Sequence, residues 1–344
     1  MKTIEELGEF GLIRHLTGNI RIKNKSTLKG VGDDAAVLDY GEKLVVVTSD
    51  MLMEGIHFNL MYTPMKHLGY KAVVANLSDL YAMNAVPKQI IVSIAFSSKL
   101  KLIQIENLYK GIELACKNYN VDLAGGDTST SLTGMAISIT ALGEGEKGSV
   151  VYRSGAKKND LICVTGNLGA AYLGLQLLER EKKLFLENPE VQPALEGYDY
   201  LLQRQLKPEP RADITGYFRK HNVSPSSMID ISDGLSSEIL HICNESQTGC
   251  KLFADRIPID SETERLAAEF NITPLVAALN GGEDYELLFT LSPGEFVKVK
   301  DNRQIKTIGH ITAREDGCNL ITHDGSFIPL VAQGWDAYGK RGQD

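Results

Sequence analysis

Two acidic knots lie close together near the start of the chain, Gly32-Asp33-Asp34 and Thr48-Ser49-Asp50. Further acidic points follow at Asp79 in NLSDLYAMNA, Asp127 in GGDTSTS, Asp230 and Asp233 in MIDISDGL, and Glu283 in GGEDYEL. All are hard oxygen donors beside small or hydroxyl residues. Carboxylates brought together repel and desolvate one another unless protons or cations sit among them. Magnesium takes such oxygens, keeps part of its water shell and is usually completed by substrate phosphates. The set is too numerous for a single general acid and base. It suits several divalent ions neutralising a polyphosphate, the main requirement of phosphoryl transfer. On the residues alone two classes fit: an ATP-dependent kinase or ligase, and a non-catalytic module that binds a metal or nucleotide. Turn formation and helix capping account for individual aspartates equally well.

For these points to meet, the elements carrying them must bring their ends together. Ala35 to Leu38 and Leu44 to Val47 read as paired strands around a Tyr40-Gly41 turn, which delivers both first knots to one end of a hairpin. His67 to Asn84 has helical spacing and stops before Pro87. Ala72, Ala75, Asn76, Asp79 and Met83 share one face of it. Gln89 to Phe96 and Val121 to Ala124 read as strands on either side of a helix, Leu102 to Asn118. The second ends in Gly125-Gly126, where backbone can approach a ligand closely. Met228 to Ile231 is a strand handing over to a helix that ends near Glu245. Glu181 to Pro210 reads as a charged helical excursion, and the Gly-rich, charged run Gly143 to Lys158 as the boundary between domains 1–148 and 149–344.

Composition narrows the field. With 44 acidic against 36 basic residues the net charge is −8, which disfavours a nucleic-acid surface. The five cysteines are scattered without a C-x-x-C pair and read as reduced thiols of a cytoplasmic protein, not as a disulfide frame or zinc site. No stretch is apolar for long enough to span a bilayer. Loose G-x-G-x-x-G matches at Gly30 and Gly143 lack the strand-to-helix context of a dinucleotide site, and no Walker-type loop is present. If phosphates are held, another device holds them.

The series GVGDDAAVLD, VVTSDMLMEGIHF, NLSDLYAMNAVPK, GGDTSTS, MIDISDGLSSEI and GGEDYELLF runs in this order over nearly the whole chain. It closely resembles the thiamine-monophosphate kinases, within the ATP-binding superfamily of aminoimidazole ribonucleotide (AIR) synthetase and selenophosphate synthetase. EGIHF and GGEDYEL are more similar to the kinases than to their relatives. The resemblance implies a two-domain α/β (α+β) fold. Its N-terminal mixed-sheet domain would form a barrel across a homodimer, and its C-terminal AIR synthase-like domain would close a cleft over ATP. It implies direct in-line transfer of the γ-phosphoryl group of ATP to thiamine monophosphate, giving thiamine diphosphate and ADP without a phosphoenzyme, as the last step of thiamine diphosphate biosynthesis.

Carried over by position, the resemblance implies that Asp33, Thr48, Ser49, Asp50, Asp79, Asp127, Asp230 and Asp233 hold several magnesium ions. Tyr109, Gly126, Asp127, Arg153 and Ser232 fall at ATP positions, and His57, Glu283 and Trp335 at thiamine monophosphate positions. No catalytic residue separate from these is implied. A phosphate acceptor is already ionised, so no histidine-centred base is required. Two alternatives stand: a superfamily relative activating an amide or carbonyl oxygen with ATP, and a non-catalytic magnesium–nucleotide sensor.

Overall fold

The computed structural model describes residues 4–333. The first half contains α1 (Ile4–Thr17), β1 (Thr27–Lys29), β2 (Ala36–Asp39), β3 (Leu44–Met53), α2 (Met65–Ala82), β4 (Val86–Phe96), α3 (Leu102–Tyr119), β5 (Asp122–Thr130) and β6 (Ala136–Gly145). Its strands form one mixed sheet ordered β1-β2-β3-β6-β4-β5. Along β3 the residues alternate between buried and exposed, the period-two signature of a sheet covered on one side. The covering layer is α2 and α3. They approach each other through glycine: a Cβ on Gly69 would lie 2.0 Å from the Leu108 carbonyl oxygen, and one on Gly111 1.9 Å from that of Lys66.

Two boundaries differ from the sequence reading. Helix α2 ends at Ala82, before Asn84 takes a left-handed conformation (φ 55°). Pro87 therefore does not stop the helix but lies in β4, at a register shift against β6, where its missing N–H is tolerated. Strand β5 does not end at Ala124. It continues through Gly125-Gly126-Asp127 to Thr130, in parallel register with β4, because the glycines allow backbone contact that larger residues would block.

The second half runs β7 (Leu161–Thr165), α4 (Ala170–Glu187), α5 (Asp199–Leu206), α6 (Ala212–His221), β8 (Ser227–Asp230), α7 (Leu235–Ser246), β9 (Gly249–Phe253), α8 (Ser261–Glu269), α9 (Pro274–Asn280), β10 (Leu287–Leu291), α10 (Pro293–Phe296), β11 (Ile305–Thr312), β12 (Cys318–Ile321) and β13 (Phe327–Pro329). These strands make a second mixed sheet ordered β13-β12-β9-β11-β7-β10-β8. All five residues of β10 are buried, as expected of a strand packed on both faces. Most of the first sheet's core is built with α2 and α3, and the second sheet's with α7 and α9. Edge strand β8 packs against α2. This seam brings the acidic motifs of the two halves together.

Candidate functional site

The antiparallel pairing of β2 with β3 sets Ala36 opposite Val47, so both acidic knots emerge at the same end of the hairpin, as the sequence pattern requires. Alternation then sorts the second knot. Thr48 turns towards α2 and donates to Asp79 Oδ2 at 2.6 Å. Ser49 turns to the opposite face, where its hydroxyl lies 3.0 Å from that of Thr140. Asp50 is anchored through its backbone amide to Asn76 Oδ1 (3.0 Å), and Asn76 in turn donates to Ala72 O.

Asp230, at the end of β8, reaches the same place from the second half and accepts from Ser78 Oγ at 2.6 Å. Carboxylate oxygens of Asp34, Asp79 and Asp230 all lie within 4.8 Å of one another. The first knot thus contributes Asp34 to this group. Asp33 is engaged by Lys29 (3.2 Å) and by the Arg153 amide (3.1 Å). Arg153 also donates through Nε and Nη2 to Asp34 Oδ1, at 3.0 and 2.5 Å, leaving Asp34 Oδ2 buried with no hydrogen-bond partner.

Burial dominates the electrostatics of this cluster. Burial, reinforced by Asp230 and Asp33 and opposed by Arg153, raises the Asp34 carboxyl to about 7. Burial and the charge of Asp230 raise Asp50 to about 6. Asp79 is driven well above its ordinary value by burial and then by Asp50, Asp230 and Asp34. Glu238, on the first turn of α7, is likewise raised by burial and Asp233, and accepts from the Asp233 amide. Anionic oxygens gathered in a poorly solvated seam, one with no partner, are a fitting donor set for a hard divalent cation.

Two glycine-bearing loops close the other side. A Cβ on Gly282 would lie 2.2 Å from the Ser232 carbonyl oxygen, and the Glu283 and Tyr285 amides donate to the carbonyls of Ser232 (2.7 Å) and Ile231 (2.9 Å). Glu283 and Tyr285 both take left-handed φ values, 65° and 51°, a strained choice that recurs at functional loops. Glu283 pairs with Lys71 Nζ (2.8 Å) and accepts from Gln205 Nε2 (2.8 Å). His57 accepts the Met53 amide on Nδ1 at 3.0 Å, which puts the neutral ring's proton on Nε2. Burial keeps the imidazole below its ordinary pKa, against the pull of Glu283.

Tyr109, Gly126 and Asp127 come together elsewhere, lining an open pocket of about 410 Å³ beside β5. Register places Gly126 opposite Val92 and Asp127 opposite Ser93. Asp127 therefore shares a row with Ser93, Ser138 and Met51, on the sheet face that Ser49 also uses. At about 4.8 Å per strand it stands roughly 14 Å from β3. A Cβ on Gly126 would sit 2.0 Å from the Val92 carbonyl oxygen. Gly126→Ala is accordingly expected to cost about 1–3 kcal/mol, the usual range for overpacking. Thermal melts check this, and an unchanged midpoint would refute the close β4–β5 approach.

Lys71, Tyr285 and Glu238 belong to the site but carry no role in the sequence reading, which counts Asp34 in the first acidic knot without assigning it individually. Lys71 could have been found: it lies two turns before Asp79 on the same helical face. Asp34 and Asp33 are indistinguishable in GDD without knowing which one Arg153 meets. Trp335 lies outside the described residues.

Residues 32–144 match the family described as AIR synthase related protein, N-terminal domain. The thiamine-monophosphate kinase of Buchnera aphidicola subsp. Schizaphis graminum is 37% identical over 330 residues, covering 94% of this chain and 97% of its own. The chain belongs to the thiamine-monophosphate kinase family. The Bacillus subtilis thiamine-monophosphate kinase is 32% identical over 342 residues, 96% of this chain and all of its own. A solved structure of AaThiL complexed with AMPPCP and TMP superposes with a TM-score of 0.82 at 31% identity, over 98% of this chain and 99% of that one. The thiamine-monophosphate kinase of Aquifex aeolicus gives 0.75 at 29% identity, over 93% and 98%. The two mixed sheets described above are therefore the family's AIR synthase-like fold.

A divalent ion held by these carboxylates would show itself in stability. Without it the folded chain holds protons on Asp34 up to about pH 7 and on Asp50 up to about pH 6, whereas an ordinary aspartate releases its proton near 3.8. Folded-state pKa values above the unfolded ones mean that stability from these groups is lost as pH rises through that window. Magnesium should therefore raise the melting temperature more at about pH 7.5 than at about pH 5. A magnesium increment that ignores pH would separate the ion from these carboxylates.

Proposed function

We propose that this protein transfers the γ-phosphoryl group of ATP directly to thiamine monophosphate, giving thiamine diphosphate and ADP. One observation carries the reading: in a chain of this family, Asp34, Asp79 and Asp230 converge within 4.8 Å around an oxygen with no partner. We assign magnesium to this group, with Asp50, Thr48 and Asp233 around it. When bound, the ions supply the charge neutralisation that lets two phosphates meet. Asp33 supports the group through Lys29 and the Arg153 amide, and Arg153 orients Asp34. Ser232 and Glu283 sit on loops locked to each other, which fixes where nucleotide and acceptor face one another. We place His57 on the acceptor side and Tyr109, Gly126 and Asp127 on the nucleotide side; the acceptor role that the resemblance implies for Trp335 falls outside the described residues.

The finer assembly is part of the same proposal. Domains 1–148 and 149–344 each contribute one sheet. A homodimer is supported by the uncovered face of the first sheet, where Met51, Met53 and Ile91 are exposed, and by edge strand β5, exposed along its length. In such a dimer Ser49 and Asp127 face the partner side of the sheet. A cytoplasmic setting is supported by five free thiols; among the described residues no helix is long and apolar enough to cross a membrane.

A coupled assay of ADP release, with ATP and magnesium, with and without thiamine monophosphate, tests the reading. ADP and thiamine diphosphate forming one for one is the expected result. Magnesium-dependent ATP binding without turnover would move the protein to another acceptor or to a sensor.

A further inference from the structure

The second half holds a group of side chains that the proposed reaction does not use. Cys243 on α7, Cys250 on β9 and Cys318 on β12 place their three sulfur atoms within 4.8 Å of one another. Cys250 and Cys318 are direct partners across the parallel β9–β12 pair, whose register is also fixed by the Cys250 amide donating to Gly317 O at 3.1 Å. Cys243 comes down onto them from the helix. Cys243 and Cys250 are buried and Cys318 is half-buried, so Cys318 is the member of the trio nearest to solvent.

A buried cysteine commonly serves as a small apolar side chain, and packing alone explains each of these singly. Packing does not require three sulfurs to gather in one spot. A tetrahedral metal site would want a fourth donor, yet no histidine or carboxylate joins the three among the described residues. The surroundings are aliphatic, with Leu252, Ile308, Ile311 and Leu320 in the same core, where several thiolates at once would be costly. One thiolate is a different matter. With the Cys243 and Cys250 thiols beside it, the Cys318 thiol is held below its ordinary pKa. Cys116, the other half-buried cysteine, has no such neighbours, and burial raises its thiol to about 11.

We infer that Cys318 is an oxidant-reactive site and that Cys243 or Cys250 resolves it into an intramolecular disulfide. The Cys318 thiolate attacks one oxygen of hydrogen peroxide and the O–O bond breaks. The departing hydroxide takes a proton to leave as water, and the sulfur becomes a sulfenic acid. The neighbouring thiol then gives up its proton and attacks that sulfur, the S–O bond breaks, and a second water leaves. Two thiols are oxidised by two electrons, and one peroxide is reduced to two waters. This inference does not depend on the proposed kinase reaction.

Treating the whole protein with hydrogen peroxide and mapping its peptides by mass spectrometry tests it. The expected product lacks two hydrogens, links Cys318 to Cys243 or Cys250, and reverts with dithiothreitol. Cys318 should react at least about ten times faster than Cys116, following thiolate fraction and access. Cys318→Ser, close in size, should remove the linkage and leave the other four thiols unlinked under the same treatment. The double variant Cys243→Ala, Cys250→Ala should instead accumulate a sulfenic acid at Cys318 that dimedone captures. Oxidation of Cys116 ahead of Cys318, no loss of thiols, or stoichiometric zinc in the purified protein would each overturn the inference.

Discussion

Asp79→Asn should reduce turnover by roughly a hundredfold to a thousandfold, the range seen when one preorganised charge-stabilising group is deleted, while leaving the metal-free protein as stable as before or more so. Both halves of this expectation come from position. Asp79 faces Asp50, Asp230 and Asp34, and burial followed by those three charges raises its carboxyl well above the ordinary value. An amide at that place removes a repulsive charge and still accepts the Thr48 hydroxyl that now donates to Asp79 at 2.6 Å. What it cannot supply is anionic oxygen for a cation. Turnover near the parent level at saturating magnesium would take Asp79 out of the site. A large fall in melting temperature in chelator would show that the side chain holds the fold instead.

Arg204→Met should destabilise the chain by about 3–5 kcal/mol, the usual cost of stripping one partner from a buried ion pair. Arg204 reaches Glu286 Oε1 through Nη1 at 2.9 Å and the carbonyls of Asn167 (3.2 Å) and Asp284 (3.0 Å) through Nη2. Glu286 is 2% exposed and Asp284 not at all. Arg211 (2.8 Å) and the Thr165 hydroxyl (2.6 Å) also hold Glu286 Oε2, but Oε1 would lose its cation. Arg204→Lys should recover only part of the loss, because an ammonium cannot span the carboxylate and both carbonyls as a planar guanidinium does. Urea unfolding measures it. A loss below about 1 kcal/mol would mean that Arg211 alone neutralises Glu286.

How much of this was legible in the sequence depends on the range over which each interaction acts. The strand pair around Tyr40-Gly41 and the apolar face of α2 follow from neighbours in sequence, so period and turn chemistry find them. The end of α2 was misplaced because Asn84 stops the helix by backbone conformation before Pro87 is reached. Continuation of β5 through Gly125-Gly126 was invisible for the opposite reason: glycines signal a loop until a facing strand uses the space they leave. Asp34 was passed over for Asp33 because the choice rests with Arg153, whose side chain is 119 residues distant. Lys71, buried against Gln205 and Glu283, acquires meaning only once α5 and the Glu283 loop dock on α2. The acidic positions could be found as a set, whereas their division between two faces of one sheet required the register.

Ser78 and Asp230 are 152 residues apart in sequence and meet only across the seam. Asp230 joins Asp34, Asp50 and Asp79 only across this seam, so the last increment of repulsion arises where the halves meet. The cost falls at the docking step. Electrostatic pressure at this seam acts to part the halves, and a cation held there would act as a clasp between them.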